Sequence, residues 1–393
     1  MGADENAWGP LSAVTVLDLT RLLPGGYCTL LLADLGANVI KVEEPGRGDY
    51  IRSAPPVVDG ESAAHQALNR GKRSVTLNLK SKAGAALLRQ LAGRSDILME
   101  SFRPEVMARL GLGYDGLAAE NRALIYCAIT GYGQDGPYRD LPGHDINYIG
   151  YGGLLSMTGA AGGGPVLPGV QVADLAGGTL AAIGILAALV DRAASGRGRF
   201  VDASMLDGVA SMLSIHAGAF LATGRIPERG SGVLSGGLAC YRVYRASDGR
   251  YLTVGAVEPR FWRALCEALE CADLVEEQYA PPDRQAEMAE RLQAIFERRT
   301  RDEWIESLRG VGACVGPVLD VGEALGDPQV RHRGMVAEIA GREVGPGPAI
   351  KMSDLEPRSL RPAPRLGEHN AEVLKMIGVG PGELAKLEAE GVV

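Results

Sequence analysis

Three ionisable side chains stand in apolar or glycine-rich segments where a reaction site could use them. His144 lies in PGHDINY, Asp174 in VADLAGG and Glu258 in VGAVEP. Taken singly, each has a structural explanation: a histidine beside glycine is usually hydrogen-bonded, and an acid in the first turn of a helix is favoured by the helix dipole. Together they are a stronger signal, because imidazole and carboxyl groups at element boundaries are the usual proton-transfer groups of enzymes.

Basic residues form a second candidate site. Residues 70–73 (RGKR) place three positive charges immediately before a predicted strand, and Arg103 and Arg109 follow in the next unit of the chain. A solvated surface is the simpler explanation. However, loops at strand ends are where open α/β sheets bind ligands, and the glycine lets the backbone approach a ligand closely. In a chain of net charge −8, this local cluster predicts a phosphate-binding site.

Several common sites are excluded by their motifs. A dinucleotide-binding fold needs GxGxxG between its first strand and helix, but residues 23–26 read LPGG. GxGxxG occurs at 111–116 and 131–136, in neither case between a strand and a helix, so nicotinamide and flavin are not expected. There is no Walker A sequence and no GxSxG elbow. The six cysteines form no CxxC pair, and no His/Cys cluster has metal-ligand spacing, so free thiols and no metal are expected.

Composition narrows the class of protein further. The 393 residues suggest two or three domains, and the net charge of −8 argues against binding to nucleic acid or an anionic membrane. The longest apolar run, 175–190, is rich in Gly and Ala and is predicted to be a buried helix, not a membrane span. No signal peptide is recognised, so a cytoplasmic location is expected. The 54 glycines are about twice the usual share and indicate close backbone approaches.

The elements that must position these residues follow from alternating strand and helix patterns. VTVLDLT, NVIKVEEP, SVTLNLK, DILMES and ALIYCAIT read as strands, and helical stretches separate them. LPGG reads as a turn, followed by a helix, YCTLLLADLG, that Gly36 closes. This order predicts a doubly wound α/β domain with a parallel sheet. Beyond RIPERGSG, a hairpin with Asp248-Gly249 at its turn begins a smaller α+β domain near 226–330.

Long segments of the chain resemble the class III coenzyme A-transferase superfamily, of the CaiB/BaiF type. They include VLDLTRLLPGGYCTLLLADLGANVIKVE, LNRGKRSVTLNLK, SFRPEVMARLGLGYD, AITGYGQDGPY, VADLAGG and LGEHNAEVL, and they span nearly the whole sequence. Within the superfamily, GHDINY and GAVEPRFW are similar to the α-methylacyl-CoA racemase branch.

The resemblance implies an interlocked homodimer with two domains in each chain. A large Rossmann-like, CoA-binding domain would comprise residues 1–205 and be completed by 335–393. Helices in 206–225 would link it to a small α+β domain, 226–330. The small domain of one chain would close the site on the large domain of the other.

The resemblance also implies roles for individual residues. CoA arrives as part of an acyl-CoA substrate, so no cofactor is expected. The CoA-binding residues implied by this family are Lys41, Arg70, Lys72, Arg73, Arg103, Arg109, Gly131, Tyr132 and Gly133.

The implied chemistry is inversion at the α-carbon of a 2-methylacyl thioester. Neutral His144 would remove the proton from one epimer, and protonated Asp174 would return a proton on the opposite face, with Glu258 assisting the histidine. The site must therefore keep a carboxyl protonated near neutral pH, which an apolar pocket favours. Helix N-terminal amides near Asp174 are candidate donors to the enolate oxygen.

Two alternatives remain open. In a CoA-transferase, Asp174 would be a nucleophile that forms a mixed anhydride and then a CoA thioester, and the glycine-rich segment 230–237 (GSGVLSGG) would suit a mobile loop over the site. A non-catalytic CoA-binding protein would be expected to lack one of the three site residues. The chain departs from the racemase pattern at Val170, where racemases carry Asn, and from many superfamily members at Glu44, where they carry Arg.

Overall fold

The structure, a computed structural model, describes residues 8–353, 355 and 360–393. Within them the strands are β1 (Thr15–Leu19), β2 (Asn38–Glu43), β3 (Val57–Val58), β4 (Glu61–Ser62), β5 (Arg73–Thr76), β6 (Ile97–Glu100), β7 (Ile125–Thr130), β8 (Phe200–Ser204), β9 (Tyr241–Arg245), β10 (Tyr251–Gly255), β11 (Val315–Pro317), β12 (Val336–Ile339) and β13 (Arg342–Pro346).

The α-helices of the same residues are α1 (Leu22–Asp34), α2 (Ala63–Asn69), α3 (Lys82–Ala92), α4 (Val106–Arg109), α5 (Tyr114–Glu120), α6 (Asp145–Tyr151), α7 (Leu154–Met157), α8 (Val172–Ser195), α9 (Met205–Met212), α10 (Ser214–Thr223), α11 (Pro259–Ala268), α12 (Pro282–Phe296), α13 (Arg301–Leu308), α14 (Val321–Gly326), α15 (Pro328–His332), α16 (Asn370–Lys375) and α17 (Pro381–Ala389). Two short 3-10 helices cover Tyr50–Ser53 and Ala272–Glu277.

Six parallel strands form the central sheet, in the order β5-β2-β1-β6-β7-β8. Numbered along the sheet, this is the 3-2-1-4-5-6 order of doubly wound folds, with the switch point between β1 and β6. The strands are apolar runs with both faces covered, as parallel sheets require. One apolar layer lies under α3, α5, α16 and α17, and the other under α1 and α8. The predicted parallel α/β fold is confirmed.

The first strand–helix connection differs from the prediction. LPGG was expected to be a turn, but Pro24, Gly25 and Gly26 lie inside the first turns of α1. Proline is tolerated there because the first N–H groups of a helix have no intrahelical acceptor. The glycines and Gly178 allow close packing: a Cβ on Gly178 would lie 2.5 Å from the carbonyl oxygen of Pro24. Helix α8 therefore crosses α1 at short range.

Helix α8 is longer than the apolar run 175–190 suggested. It has 24 residues, and by length and apolar composition it could cross a membrane. Its small residues Ala173, Ala176, Ala181 and Ala182 are nevertheless buried within the fold, where it contacts α1, α9, β7 and β8. The helix therefore supplies one layer of the core, as the sequence predicted.

The chain forms two compact units. The large unit comprises the described residues up to Gly152, Gly169–Met212 and those from Pro328 onward, and the small unit comprises Gly153–Pro168 and Leu213–Asp327. The predicted division assigned 153–168 to the large domain, whereas here that segment clusters with the small unit. The small unit holds the antiparallel sheet β11-β10-β9, and its buried aromatic residues lie among α11, α12 and α13.

The C-terminal segment completes the large unit at the β5 edge of the sheet. Asn370 accepts a hydrogen bond from the Thr76 backbone at 2.9 Å and donates to its hydroxyl at 2.9 Å. The Asn78 N–H donates to the Val392 carbonyl at 2.8 Å. Helices α16 and α17 thus join the apolar layer that β5 and α3 share.

Candidate active site

The first turns of α6 and α8 are joined by one carboxylate. Asp145, the first residue of α6, accepts hydrogen bonds through Oδ1 from the backbone N–H groups of Ala173 at 2.6 Å and Asp174 at 3.2 Å. The N-terminus of a helix favours such a negative group, because its first amides lack intrahelical acceptors. His144 immediately precedes Asp145, so this contact brings His144 and Asp174 to one site.

This contact also changes the expected source of enolate stabilisation. The sequence suggested that helix N-terminal amides near Asp174 would donate to an enolate oxygen. In the structure, the amides of Ala173 and Asp174 already donate to Asp145. Since each N–H is a single donor, these two are engaged in holding the helices together.

Asp174 has the properties expected of a carboxyl that can be protonated near neutral pH. The side chain is half-buried, and burial is the main reason that its pKa rises to about 6. The negative charge of Asp145 raises the pKa further, whereas His144 lowers it. Burial and a like charge both disfavour the ionised form, so the surroundings of Asp174 select the neutral acid more than those of an ordinary surface aspartate.

His144 has an exposed side chain and a fixed backbone. Its N–H donates to Oδ1 of Asn147 at 3.0 Å, and its carbonyl accepts from the N–H of Asn147 at 2.8 Å. The N-terminus of α6 is thereby closed in the manner of a capping box. The imidazole is consequently displayed from a rigid position, which a general base requires.

Two tyrosines pack together at this site: Tyr132 was among the expected CoA-binding residues, whereas Tyr148 was not selected from the sequence. Tyr148, one helical turn after His144, packs edge-to-face on Tyr132 with ring centroids 5.1 Å apart. A Cβ on Gly131 would lie 2.5 Å from the Tyr148 ring, and one on Gly143 would lie 2.7 Å from it. Both glycines are therefore needed for this ring to fit. The spacing between His144 and Tyr148 in GHDINY was the available signal.

The pKa of Tyr148 links this ring to the rest of the site. Burial raises the pKa to about 12, and the charges of Tyr132 and Asp174 add to the rise, whereas Arg103 lowers it. Arg103 is exposed and forms no ion pair among the described residues. A cation near Tyr148 that has no ion-pair partner among the described residues is available to an anionic ligand.

Two lysines of the implied CoA-binding set are buried in internal ion pairs. The ammonium group of Lys41 contacts Asp49 at 2.9 Å, and that of Lys72 lies 3.4 Å from Asp18. Lys72 also donates to Thr29 at 2.7 Å, and burial lowers its pKa to about 8. Both side chains have 0% exposed surface, so in this structure Lys41 joins β2 to the loop that follows it, and Lys72, just before β5, is joined to Asp18 of β1.

The neighbouring arginines are paired as well. Arg70 forms a two-pronged ion pair with Asp34 and is 2% exposed. Arg73 contacts Glu372 at 2.6 Å. This arrangement differs from the free phosphate-binding cluster expected of residues 70–73, because each arginine already has a carboxylate partner.

The switch point of the sheet carries other exposed groups. Arg103 follows β6, and Arg109 is exposed on α4. Arg21, which sequence reasoning did not select, follows β1; its N–H donates to Ser101 at 3.0 Å and its guanidinium to Tyr50 at 2.9 Å. Ligands of doubly wound sheets bind at this edge, so Arg103 and Arg109 are exposed cations on the side of the sheet where a ligand is expected, together with the partly exposed Arg21, which lies 3.9 Å from Glu44.

A neutral carboxyl lies at the same edge. Glu100 ends β6 and accepts a hydrogen bond from the Phe102 N–H at 2.6 Å. Burial raises its pKa to about 8, and the charge of Asp202 adds to the rise. The sheet register places Ala128 between Glu100 and Asp202, so a small side chain separates the two acids. Gly133, expected in the CoA-binding loop, lies nearby with a positive φ of 93°.

Glu258 belongs to the small unit. It precedes α11, where its carbonyl accepts from the N–H groups of Phe261 at 2.9 Å and Trp262 at 3.1 Å. Its side chain is exposed and has no ion-pair partner among the described residues. Elsewhere in the same described ranges, no group of three His, Cys, Asp or Glu side chains is placed to hold a metal ion.

The fold and the site together define an α/β enzyme of the doubly wound class, with a histidine and a carboxyl of raised pKa at two adjoining helix starts. The chain belongs to CoA-transferase family III, whose family model matches residues 11–370. It is 37% identical to human alpha-methylacyl-CoA racemase, covering 98% of this chain and 97% of that one.

Other relatives carry a different activity in their names. The chain is 34% identical to human succinyl-CoA:glutarate CoA-transferase, over 95% of this chain and 87% of that one. A solved structure of a CaiB/BaiF family protein from Brucella suis superposes with a TM-score of 0.84 at 33% identity, covering 94% and 99% of the two chains. The family is therefore established, and both racemases and CoA-transferases are among its similar members.

Proposed function

We propose that the protein is a racemase or epimerase that inverts the α-carbon of 2-methylacyl-CoA thioesters. The observation that carries this proposal is the pairing of His144 with Asp174, a carboxyl whose pKa lies at about 6. Inversion through an enolate needs one group that accepts the α-proton and a second that returns a proton to the opposite face. An acid with this pKa is protonated in about a tenth of molecules at pH 7, which allows either direction of reaction.

In the proposed mechanism, neutral His144 removes the α-proton, and the electron pair of the C–H bond passes into the thioester carbonyl to give an enolate. Protonated Asp174 then donates its proton to the opposite face, leaving an imidazolium and a carboxylate. The roles exchange in the reverse direction. Asp145 fixes both helix starts, which keeps the two groups in their positions during the reaction. This proton transfer calls on no metal or redox cofactor.

The substrate's CoA portion is proposed to bind at the carboxyl edge of the sheet. Arg103 and Arg109 supply exposed positive charge there, and in residues 131–133 (GYG) two glycines flank Tyr132. Lys41 and Lys72 are held in buried ion pairs, and Arg70 and Arg73, at the start of β5, pair with Asp34 and Glu372.

A homodimer and a cytoplasmic location complete the proposal. In the small unit, Ile215 and Leu221 of α10 are 80% and 82% exposed. Such apolar side chains favour burial against a second surface, which a second copy of the chain would provide.

The test is incubation with a 2-methylacyl-CoA in deuterated water without an acceptor acid. We expect deuterium at the α-carbon and loss of optical purity. His144→Ala and Asp174→Ala should each abolish exchange. His216→Ala, another exposed histidine, and Asp191→Asn, at the far end of α8, are the matched controls and should retain it. Near-wild-type exchange in either site variant would contradict the two-group mechanism.

CoA transfer between carboxylic acids is the second candidate. The glycine-rich loop 230–237 and the names of similar transferases support it. Asp174 would then attack the acyl-CoA carbonyl to form a mixed anhydride and release CoA thiolate. The thiolate would attack the aspartyl carbonyl of the anhydride, releasing the donor acid and leaving an enzyme-bound CoA thioester. The acceptor carboxylate would displace CoA thiolate to form a second anhydride, and the thiolate would then attack its acceptor carbonyl to give the new acyl-CoA and free Asp174. Absence of α-exchange, together with borohydride trapping of a CoA ester on Asp174, would select transfer over racemisation.

A further inference from the structure

The loop that carries Glu258 is held by side chains from a distant segment. It connects the end of β10 to α11, and its carbonyl groups at Ala256 and Val257 accept hydrogen bonds from side chains. The Gln278 amide donates from Nε2 to Val257 at 2.7 Å and to Ala256 at 3.1 Å. The Tyr279 hydroxyl donates to the same Val257 carbonyl at 2.7 Å.

Gln278 is buried, so its side-chain amide must make these hydrogen bonds within the protein. Its residue is 5% exposed, and an unpaired amide in such surroundings is costly. Gln278 directly follows the 3-10 helix Ala272–Glu277. Trp262 holds this helix by donating its indole N–H to the Leu274 carbonyl at 3.0 Å, so the backbone that carries the Gln278 amide is fixed.

A second buried glutamine continues the chain of hydrogen bonds. Gln285, 3% exposed, donates from Nε2 to the Gln278 carbonyl at 2.9 Å and accepts through Oε1 from the Ala239 N–H at 2.9 Å. Ala239 lies two residues after the glycine-rich loop 230–237. The two glutamines thus connect the end of that loop to the residues immediately before Glu258.

We infer that Gln278 is a positioning residue: with Gln285 behind it, its amide fixes the β10–α11 loop so that the exposed carboxylate of Glu258 is presented in one geometry. This inference rests on the proposed function and on the role that the family resemblance implies for Glu258, which is to assist the histidine. A carboxylate on a loop held by three donors has little freedom to lose when substrate binds, and small displacements of assisting groups slow catalysis strongly.

The test is a double-mutant cycle on the full-length enzyme. Gln278→Met keeps the side-chain volume and removes both donors. We expect about a ten-fold lower kcat for α-proton exchange with KM changed less than about two-fold. Glu258→Gln should lower kcat by at least as much. The double variant should be no slower than Glu258→Gln alone, because Gln278 acts through Glu258.

Gln293→Met is the matched control. Gln293 also clamps a strand, accepting from the Arg245 N–H at 3.1 Å and donating to its carbonyl at 2.8 Å. That clamp is at the opposite end of the β9–β10 hairpin from Gly255. Gln293→Met should therefore leave kcat unchanged. Tyr279→Phe removes only an exposed hydroxyl and should lower kcat about three-fold.

Two outcomes overturn the inference: multiplicative effects of Gln278→Met and Glu258→Gln, or a Gln278→Met enzyme as fast as the Gln293→Met control. If the wild-type enzyme shows neither exchange nor transfer, the proposed function of the protein fails instead. If Glu258→Gln is fully active, the assisting role of Glu258 fails. Amide hydrogen exchange then decides the positioning role. Faster exchange of 256–262 in Gln278→Met, but not in Gln293→Met, supports it, and unchanged exchange refutes it.

Discussion

Asp174→Asn should stabilise the fold at alkaline pH although it destroys the proposed acid. The surroundings of this side chain favour its neutral form, since burial and the charge of Asp145 raise the pKa from 3.8 to about 6. Asparagine has nearly the same shape and no charge. The variant therefore removes the cost of ionising a carboxyl beside another carboxylate, and leaves the backbone bonds to Asp145 unchanged.

The magnitude follows from the pKa rise. Each ten-fold change in the acid dissociation constant is worth about 1.36 kcal/mol, so the rise in the pKa of Asp174 corresponds to about 3 kcal/mol of folding free energy. Partial exposure of the side chain reduces this to about 1–2 kcal/mol. Because the folded-state pKa lies above that of the unfolded chain, wild-type stability is lost as pH rises from about 4 to about 6, and it stays lost above. The gain from asparagine should thus be full at pH 8, about half at pH 5 and absent below pH 4.

Urea unfolding at pH 5, 6, 7 and 8 measures the free energy of unfolding of both proteins. Asp191→Asn is the control on the same helix. A hydrogen bond from Arg199 lowers the pKa of Asp191. Replacing this carboxylate should therefore lower, not raise, the free energy of unfolding at alkaline pH. A destabilised Asp174→Asn protein at pH 8, or a difference that does not vary with pH, would refute the assignment of a raised pKa to this carboxyl.

Three further predictions test other parts of the large and small units. Gly131→Ala should cost about 1–3 kcal/mol, because its Cβ meets the Tyr148 ring; thermal unfolding measures this, and Tyr148→Ala in the same chain should recover part of the loss. Glu100→Gln should abolish a decline in wild-type stability between about pH 4.5 and pH 8, since burial raises the pKa of Glu100 to about 8; an unchanged pH dependence would contradict this. Native protein should react at one thiol, Cys314, with an aromatic disulfide reagent, because the other five cysteines are buried; two or more rapidly reacting thiols would show that the packing is looser.

The parallel sheet was predictable from the sequence because its strands are short β-branched runs separated by helical patterns. Asp248-Gly249 likewise marked the β9–β10 hairpin, and Gly249 adopts a positive φ of 78°. The first turn of α1 was not predictable in the same way. Proline and glycine usually mark turns, and only the close crossing of α1 and α8 explains why LPGG lies within a helix.

The site was partly predictable. His144 and Asp174 could be selected by type and setting, yet the residue that joins them, Asp145, acts across 28 positions of sequence. Pattern reasoning has no access to such a contact. The same limit applied to Arg70, whose partner Asp34 is 36 positions away. Positive charges that read as a phosphate site were already paired within the fold.

The late completion of the sheet has a consequence for biosynthesis. The β5 edge is bonded to Asn370 and Val392, so the large unit contains contacts that span more than 290 residues of chain. A ribosome releases the first strands long before these residues are made. Nascent chains should therefore expose the apolar layer over β5 until residues 370–392 have been made. The main segment of the small unit, Leu213–Asp327, is continuous, so that unit can fold before the large one.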